Sequence, residues 1–235
     1  MNDIRAILFD TFGSVVDWRS SVIAEMAAFG AQRGISADWT AFADAWRGAY
    51  KPSMDRVRHH ERPWTILDVL HRESLEILLV KFGIGGLSEA DLDHLTRIWH
   101  RLMPWPDSVA GLTRLKRKYI IAPLSNGNVA LLVNLAKHSG LPWDMVFGSE
   151  IPRAYKPDPA VYLGACAMLG LEPGQVMMAA AHNYDLAAAQ ALGMQTGFFA
   201  RPNEYGPGQT KDVRAEGDWT VVAVDIEDLA RQLGV

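Results

Sequence analysis

Asp10 closes the apolar run 4–9, and a carboxylate in that position can serve as a nucleophile. A buried strand of an open α/β sheet delivers its last residue to the carboxyl edge, where such sheets build their sites. The residues that follow, Thr11-Phe12-Gly13-Ser14, offer successive backbone N–H groups, which can cradle an anion. A second cluster, Ala181-His182-Asn183-Tyr184-Asp185, follows the apolar run 176–181 and sets an imidazole, an amide and a carboxylate close together. Imidazole can take or give a proton near neutral pH, so His182 is a candidate to position or deprotonate water. Asn183 beside it is polar as well, and either residue can meet the water.

Two further motifs lie between these clusters. Ser125-Asn126-Gly127 ends the apolar run 120–124, and Tyr155-Lys156-Pro157-Asp158-Pro159 precedes a helix, with Asp158 as N-cap and Pro159 in the first turn. In this order, over residues from about 8 to 186, the motifs resemble those of the haloacid dehalogenase superfamily. Phosphatases of that superfamily carry Asp, any residue, a second Asp, then Gly-Thr, and the second Asp protonates the leaving alkoxide. Here that position is Phe12. A carboxylate nucleophile can still form an ester without the acid if the leaving group departs as an anion, as halide does and an alkoxide does not. The phosphatases also place an Asp four residues before the position of Asp185 to help hold magnesium, and this chain has Ala181. A hard-cation site deprived of one carboxylate is weakened. Losing both groups is the pattern of the L-2-haloacid dehalogenase branch.

The resemblance implies an enzyme that needs no metal or other cofactor. It would convert short (S)-2-haloacids, including haloacetates such as fluoroacetate, to 2-hydroxy acids plus halide through an Asp10 ester. Lys156 would neutralise Asp10 and the oxyanion formed when water attacks the ester. Asp185 would orient Lys156 or the water. Ser125 would bind the substrate carboxylate, with the N–H groups of Thr11 and Phe12, and Asn126 would help receive the halide. Trp46-Arg47 resembles a Trp-Arg pair of the family's lid, whose arginine faces the substrate, and arginine's permanent charge and several donors suit halide and carboxylate together. His182 is a departure, since better-known dehalogenases have Asn there, and Ala180 stands for a Ser. Two other readings compete: a superfamily phosphatase with a degraded metal site, and a non-catalytic relative that binds small carboxylates.

Several of these residues have plainer roles open to them. Asp17 reads as a helix cap, Asp185 can cap a helix as well, and Ser125-Asn126 can be turn chemistry. His59, His60 and Glu61 lack a second ligand pair and read as loop residues, while Trp39, Trp46, Trp64 and Trp99 read as packing. The single Cys166 cannot form an internal disulfide and lies in an apolar stretch, as a buried thiol does.

These side chains need a scaffold, and the pattern supplies one. Helical periodicity without strand-like alternation fills residues 18–103, an all-helical cap or lid, with Ser88 capping its last segment, 87–103. The core domain, 1–17 and 104–235, alternates: helix 107–118, strand 120–124, helix 128–139, strand 145–147, helix 159–169, strand 176–181, helix 185–192, strands 195–199 and 220–224, helix 226–233. That alternation implies an α/β fold with a doubly wound, mostly parallel sheet. Residues 201–218, rich in Pro and Gly, read as a surface loop. The chain of 235 residues has 49% hydrophobic content, enough for a sizeable core, and a net charge of -4 without a basic tract, which argues against nucleic acid as partner. No apolar stretch reaches a membrane span and no cleavable signal is visible, so the expected address is the cytoplasm. The family is often dimeric, and no patch in this sequence fixes a homodimer.

Overall fold

The computed structural model describes residues 3–235. Strand β1 (Ala6–Phe9) is buried along its whole length. Ala-Ile-Leu-Phe has no polar side chain to offer solvent, so it is stable only with both faces covered, the condition of an inner parallel strand. The chain then forms a short β2 (Val16–Asp17) and leaves the sheet for four helices, α1 (Trp18–Arg33), α2 (Trp39–Arg58), α3 (Leu67–Lys81) and α4 (Glu89–Thr96), and a 3-10 turn (Arg97–His100). Asp17 caps α1 by accepting from Ser20 N, and Ser88 caps α4 in a reciprocal box with Asp91. The segment 87–103 is thus not one helix: Thr96 returns its hydroxyl to Leu92 O at 2.8 Å, a bond that competes with helix continuation. β3 (Met103–Pro104) pairs antiparallel with β2, so the helical stretch begins and ends at one two-stranded ribbon.

From there strand and helix alternate: α5 (Ser108–Leu115), β4 (Ile120–Ser125), α6 (Val129–Ser139), β5 (Phe147–Gly148), α7 (Pro159–Leu169), β6 (Val176–Ala180), α8 (Asn183–Ala191), β7 (Gln195–Phe199), β8 (Val221–Ala223) and α9 (Ile226–Gln232). Among the described residues the main sheet has six parallel strands in the order β5-β4-β1-β6-β7-β8. The doubly wound α/β fold expected from the alternation is therefore present. Element ends differ by a few residues. α8 begins at Asn183, which puts Asp185 in its first turn and not at the cap. Chain order reverses about β1, with β4 and β5 on one side and β6 to β8 on the other. The carboxyl ends of β4, β1 and β6 therefore open onto one crevice, the usual ligand position in such sheets.

Segment 201–218 corrects the expectation of a surface loop. It is irregular, as its Pro and Gly require, but Arg201, Glu204 and Asp212 are buried. Charges are buried only where they are paired. Arg201 meets the Asp107 carboxylate through two bonds of 2.8 Å and donates to Ser14 O at 2.9 Å.

Between helices and sheet lies an aromatic layer. Phe12 meets Trp99 edge-on at 5.8 Å and Tyr50 at 6.3 Å, and Trp46 meets Trp99 at 5.6 Å. Trp39 and Trp64 pack at the margin of the same core, so the tryptophans serve packing. Cys166 is a buried thiol whose pKa burial raises. Among the described residues no helix is long and apolar enough to cross a membrane.

Candidate active site

Asp10 is delivered by β1 to the crevice and is held there from both sides. Its Oδ1 accepts from Lys156 Nζ at 3.0 Å, and its Oδ2 accepts from Ser14 Oγ at 2.7 Å and faces His182 Nδ1 at 2.8 Å. Burial alone would raise the Asp10 pKa, but the Lys156 ammonium and the His182 hydrogen bond outweigh it and hold the carboxyl well below its usual range. Asp10 is thus ionised at neutral pH, as a nucleophile must be.

Lys156 owes its place to the strand β4 exit. Its backbone N–H donates to Asn126 Oδ1 at 2.7 Å, and its ammonium, buried, bridges Asp10 and Asp185. Asp185 Oδ1 accepts from Tyr162 OH on α7 at 2.5 Å. Burial, countered by Lys156 and reinforced by Asp10, raises the Asp185 pKa.

The second ring nitrogen of His182 meets a residue that sequence reasoning missed. His182 Nε2 lies 2.9 Å from Glu204 Oε2, while Trp18 Nε1 donates to Glu204 Oε1 at 3.1 Å. Burial opposes charge on His182, but the Glu204 carboxylate and the hydrogen bonds to Asp10 and Glu204 push its pKa up to about 10. That shift favours the imidazolium, and both ring nitrogens face carboxylates at hydrogen-bond distance, so neither is turned to water. The expected role as water's base gives way on that ground. A lone Glu in a Pro- and Gly-rich stretch has no periodicity to mark it. The available signal was His182 itself, since a buried imidazole needs a hydrogen-bond partner for each ring nitrogen and the motif residues offer only one.

Asn183 does not meet water either. Its amide is spent on the 201–218 segment, donating to Asp212 Oδ1 at 2.9 Å and Arg214 O at 3.0 Å, and accepting from Glu216 N at 2.9 Å and Trp219 Nε1 at 3.0 Å. With every donor and acceptor used, it is an anchor for the segment that carries Glu204.

The side facing substrate is rich in uncommitted donors. Among the described residues, the backbone N–H groups of Thr11 and Phe12 have no backbone acceptor, and Arg47 Nη1 is buried without a partner. The Arg47 guanidinium lies over the Tyr50 ring at 4.3 Å and the Trp18 ring at 5.4 Å. Ser125 is buried at the end of β4, where its hydroxyl accepts from Gly127 N at 3.2 Å. Asn126, with its carbonyl engaged by Lys156, turns its NH2 toward the Tyr50 hydroxyl. A cavity of about 790 Å³ leads here, lined by Arg47, Lys51, Arg58, Lys156 and Lys211 against Asp44 and Asp55. In a chain of net charge -4 this mouth is locally cationic and favours small anions.

The residues do not fit the magnesium site expected of phosphatase relatives. Phe12 packs into the aromatic layer, Ala181 offers only a backbone N–H, which donates to Ser14 Oγ at 3.0 Å, and Lys156 already stands between the two carboxylates.

Residues 4–193 match the family of haloacid dehalogenase-like hydrolases. The chain is 30% identical over 202 residues to (S)-2-haloacid dehalogenase 4A of Burkholderia cepacia, covering 83% of each. Among solved structures it is similar to an L-2-haloacid dehalogenase at 55% identity and TM-score 0.95, covering 98% of both chains. It is also similar to a defluorinating L-2-haloacid dehalogenase at 52% identity and TM-score 0.97, covering 99% of this chain and 96% of the other.

Proposed function

Because the chain belongs to the haloacid dehalogenase-like hydrolases, in their L-2-haloacid dehalogenase branch, we propose that it hydrolyses short (S)-2-haloacids to 2-hydroxy acids of inverted configuration. The observation that carries this reading is an ionised Asp10 beside a bridging lysine, with a packed phenylalanine where an alkoxide would need its acid. Asp10 attacks the halogen-bearing carbon from behind, an O–C bond forms, and the carbon–halogen pair leaves as halide. The substrate carboxylate lies on the Thr11 and Phe12 N–H groups and Ser125, and the halide departs toward Arg47 and Asn126. Water then adds to the Asp10 carbonyl. Asp185, its pKa raised by burial, takes the proton of the water, and Lys156 protonates the departing oxygen and recovers its proton from Asp185.

We read residues 18–103 as a cap over this site and 1–17 with 104–235 as its core, with the β2–β3 ribbon as the junction. The same reading makes it a cytoplasmic enzyme acting on a dissolved anion. The test is halide release from chloroacetate and fluoroacetate, run beside an aryl phosphate with magnesium. Halide release should survive exhaustive chelation, and phosphate release should be absent. Turnover lost on chelation and restored by magnesium would favour a phosphatase. Binding of the haloacid without any release would favour a carboxylate-binding relative.

Arg47→Lys keeps a charge but loses the planar donors. A halide gains charge only in the transition state, so the displacement rate should fall on the order of tenfold or more, with KM moving little. Fluoride, with the strongest bond to break, should suffer most. Equal, small effects on all halides would make Arg47 a packing residue.

A further inference from the structure

The oxygens of Asp10 are not equivalent. A carboxylate oxygen has two lone pairs, and Oδ2 has spent both, on Ser14 Oγ–H at 2.7 Å and His182 Nδ1–H at 2.8 Å. Among the described residues Oδ1 accepts from Lys156 alone, and Lys156 lines the cavity. Oδ1 therefore has a lone pair free for attack, and Oδ2 becomes the carbonyl oxygen of the ester. We propose that Ser14 and His182 form a preformed oxyanion hole at Oδ2 for hydrolysis of the Asp10 ester, and that Glu204 is the positioning residue that keeps the Nδ1 proton of His182 on Oδ2. This rests on the ester reading above.

When water adds to Cγ, the carbonyl π pair moves onto Oδ2. Both donors already stand at hydrogen-bond distance, so the developing charge is met without rearrangement. A cationic donor is stronger than a neutral one. Ser14 is aimed in the same way, because its oxygen accepts the Ala181 N–H at 3.0 Å and its proton is left for Asp10. The pair then returns from Oδ2, the Cγ–Oδ1 bond breaks, and the hydroxy acid leaves with Oδ1.

Glu204 is built into this place from three directions. His182 and Trp18 take one carboxylate oxygen each. Gly13 leaves the room: a Cβ on Gly13 would lie 2.1 Å from Glu204 Oε1, and Gly13 has φ +87, which disfavours any side chain. The groups around His182 are few. Asp10 and Glu204 touch its nitrogens and the Tyr184 ring lies 5.7 Å away, while Lys156 and Asp185 stand beyond Asp10, and Arg47 and Tyr205 beyond Glu204. Esterification removes the charge of Asp10. Glu204 is then the carboxylate that keeps His182 protonated.

The experiment follows the two half-reactions of the full chain with chloroacetate between pH 6 and 10. Quenched-flow chloride counts the displacement, and the mass of the Asp10 peptide follows decay of the adduct. Glu204→Gln should release a first chloride per site at close to the parent rate, while the adduct decays on the order of 10²-fold more slowly, the usual cost of a lost oxyanion donor. The alkaline limb of the decay rate should also move down by at least one pH unit. His182→Gln, which keeps a neutral donor, should decay slowly without that limb. An unmoved limb in Glu204→Gln, equal slowing of both half-reactions, or a limb that survives in His182→Gln overturns the proposal. If Glu204→Gln does not fold, the limb in His182→Gln decides alone. An absence of chloride or adduct in the parent would instead overturn the ester reading.

Discussion

Asp10→Asn is expected to lower halide release on the order of 10⁴-fold or more while the protein stays folded. An amide oxygen carries no charge with which to displace halide, so the first bond cannot form. The fold survives because each cation keeps a second partner: Lys156 retains Asp185, and His182 retains Glu204. The same step can be read in the parent protein by isotope. In a single turnover in heavy-oxygen water, the label should enter Asp10 and not the first product, because the product leaves with the protein's own oxygen. Label found directly in product within one turnover would rule out an ester and require water to attack the haloacid itself.

Lys156→Met should remove activity and destabilise the protein together. The substitution leaves Asp10 and Asp185 buried without the ammonium that bridges them, and breaking such a buried pair costs about 3–5 kcal/mol. The sign of its pH dependence follows from the carboxylates. In the parent, Asp10 has a folded-state pKa below its unfolded value of about 3.9, so its contribution is present above that pH and is lost as pH falls through the folded value. Asp10 keeps Ser14 and His182 when Lys156 is gone, but Asp185, whose pKa burial already raises in the parent, loses its cation and rises further, so the variant gains stability as Asp185 takes up a proton. Urea unfolding at pH 4.5 and pH 7.5 should therefore show a smaller gap between variant and parent at the lower pH. An equal gap at both would mean that Lys156 stabilises by packing of its methylene stem and not by charge.

The legible part of this molecule is its frame. β1, β4 and β6 are short apolar runs that end in polar residues, the pattern of buried parallel strands, and such strands deliver Asp10, Ser125 and His182 to the carboxyl edge of the sheet. Asp158 and Pro159 mark the start of α7, and so Lys156 stands just before it. Phe12 and Ala181 were informative because each denies the site a group that no neighbour replaces.

Less legible were the partners of those side chains. Asn183 and His182 are adjacent and equally polar, yet one anchors a loop and the other donates to the nucleophile. That difference depends on Asp212 and Glu204, which are remote in sequence and lie in a stretch without periodicity. Tyr162, expected only as part of an apolar helix, turns its hydroxyl onto Asp185 for the same reason.

By itself, then, the sequence determined the sheet, the order of its motifs and the position of Asp10, because strand ends and helix starts are decided by contacts a few residues apart. Only the tertiary structure decided that His182 is a cation and that Glu204, Trp18 and Gly13 make a closed pocket around its far nitrogen. A buried charge must find an opposite charge, but which one it finds is settled by the packing of segments from opposite ends of the chain.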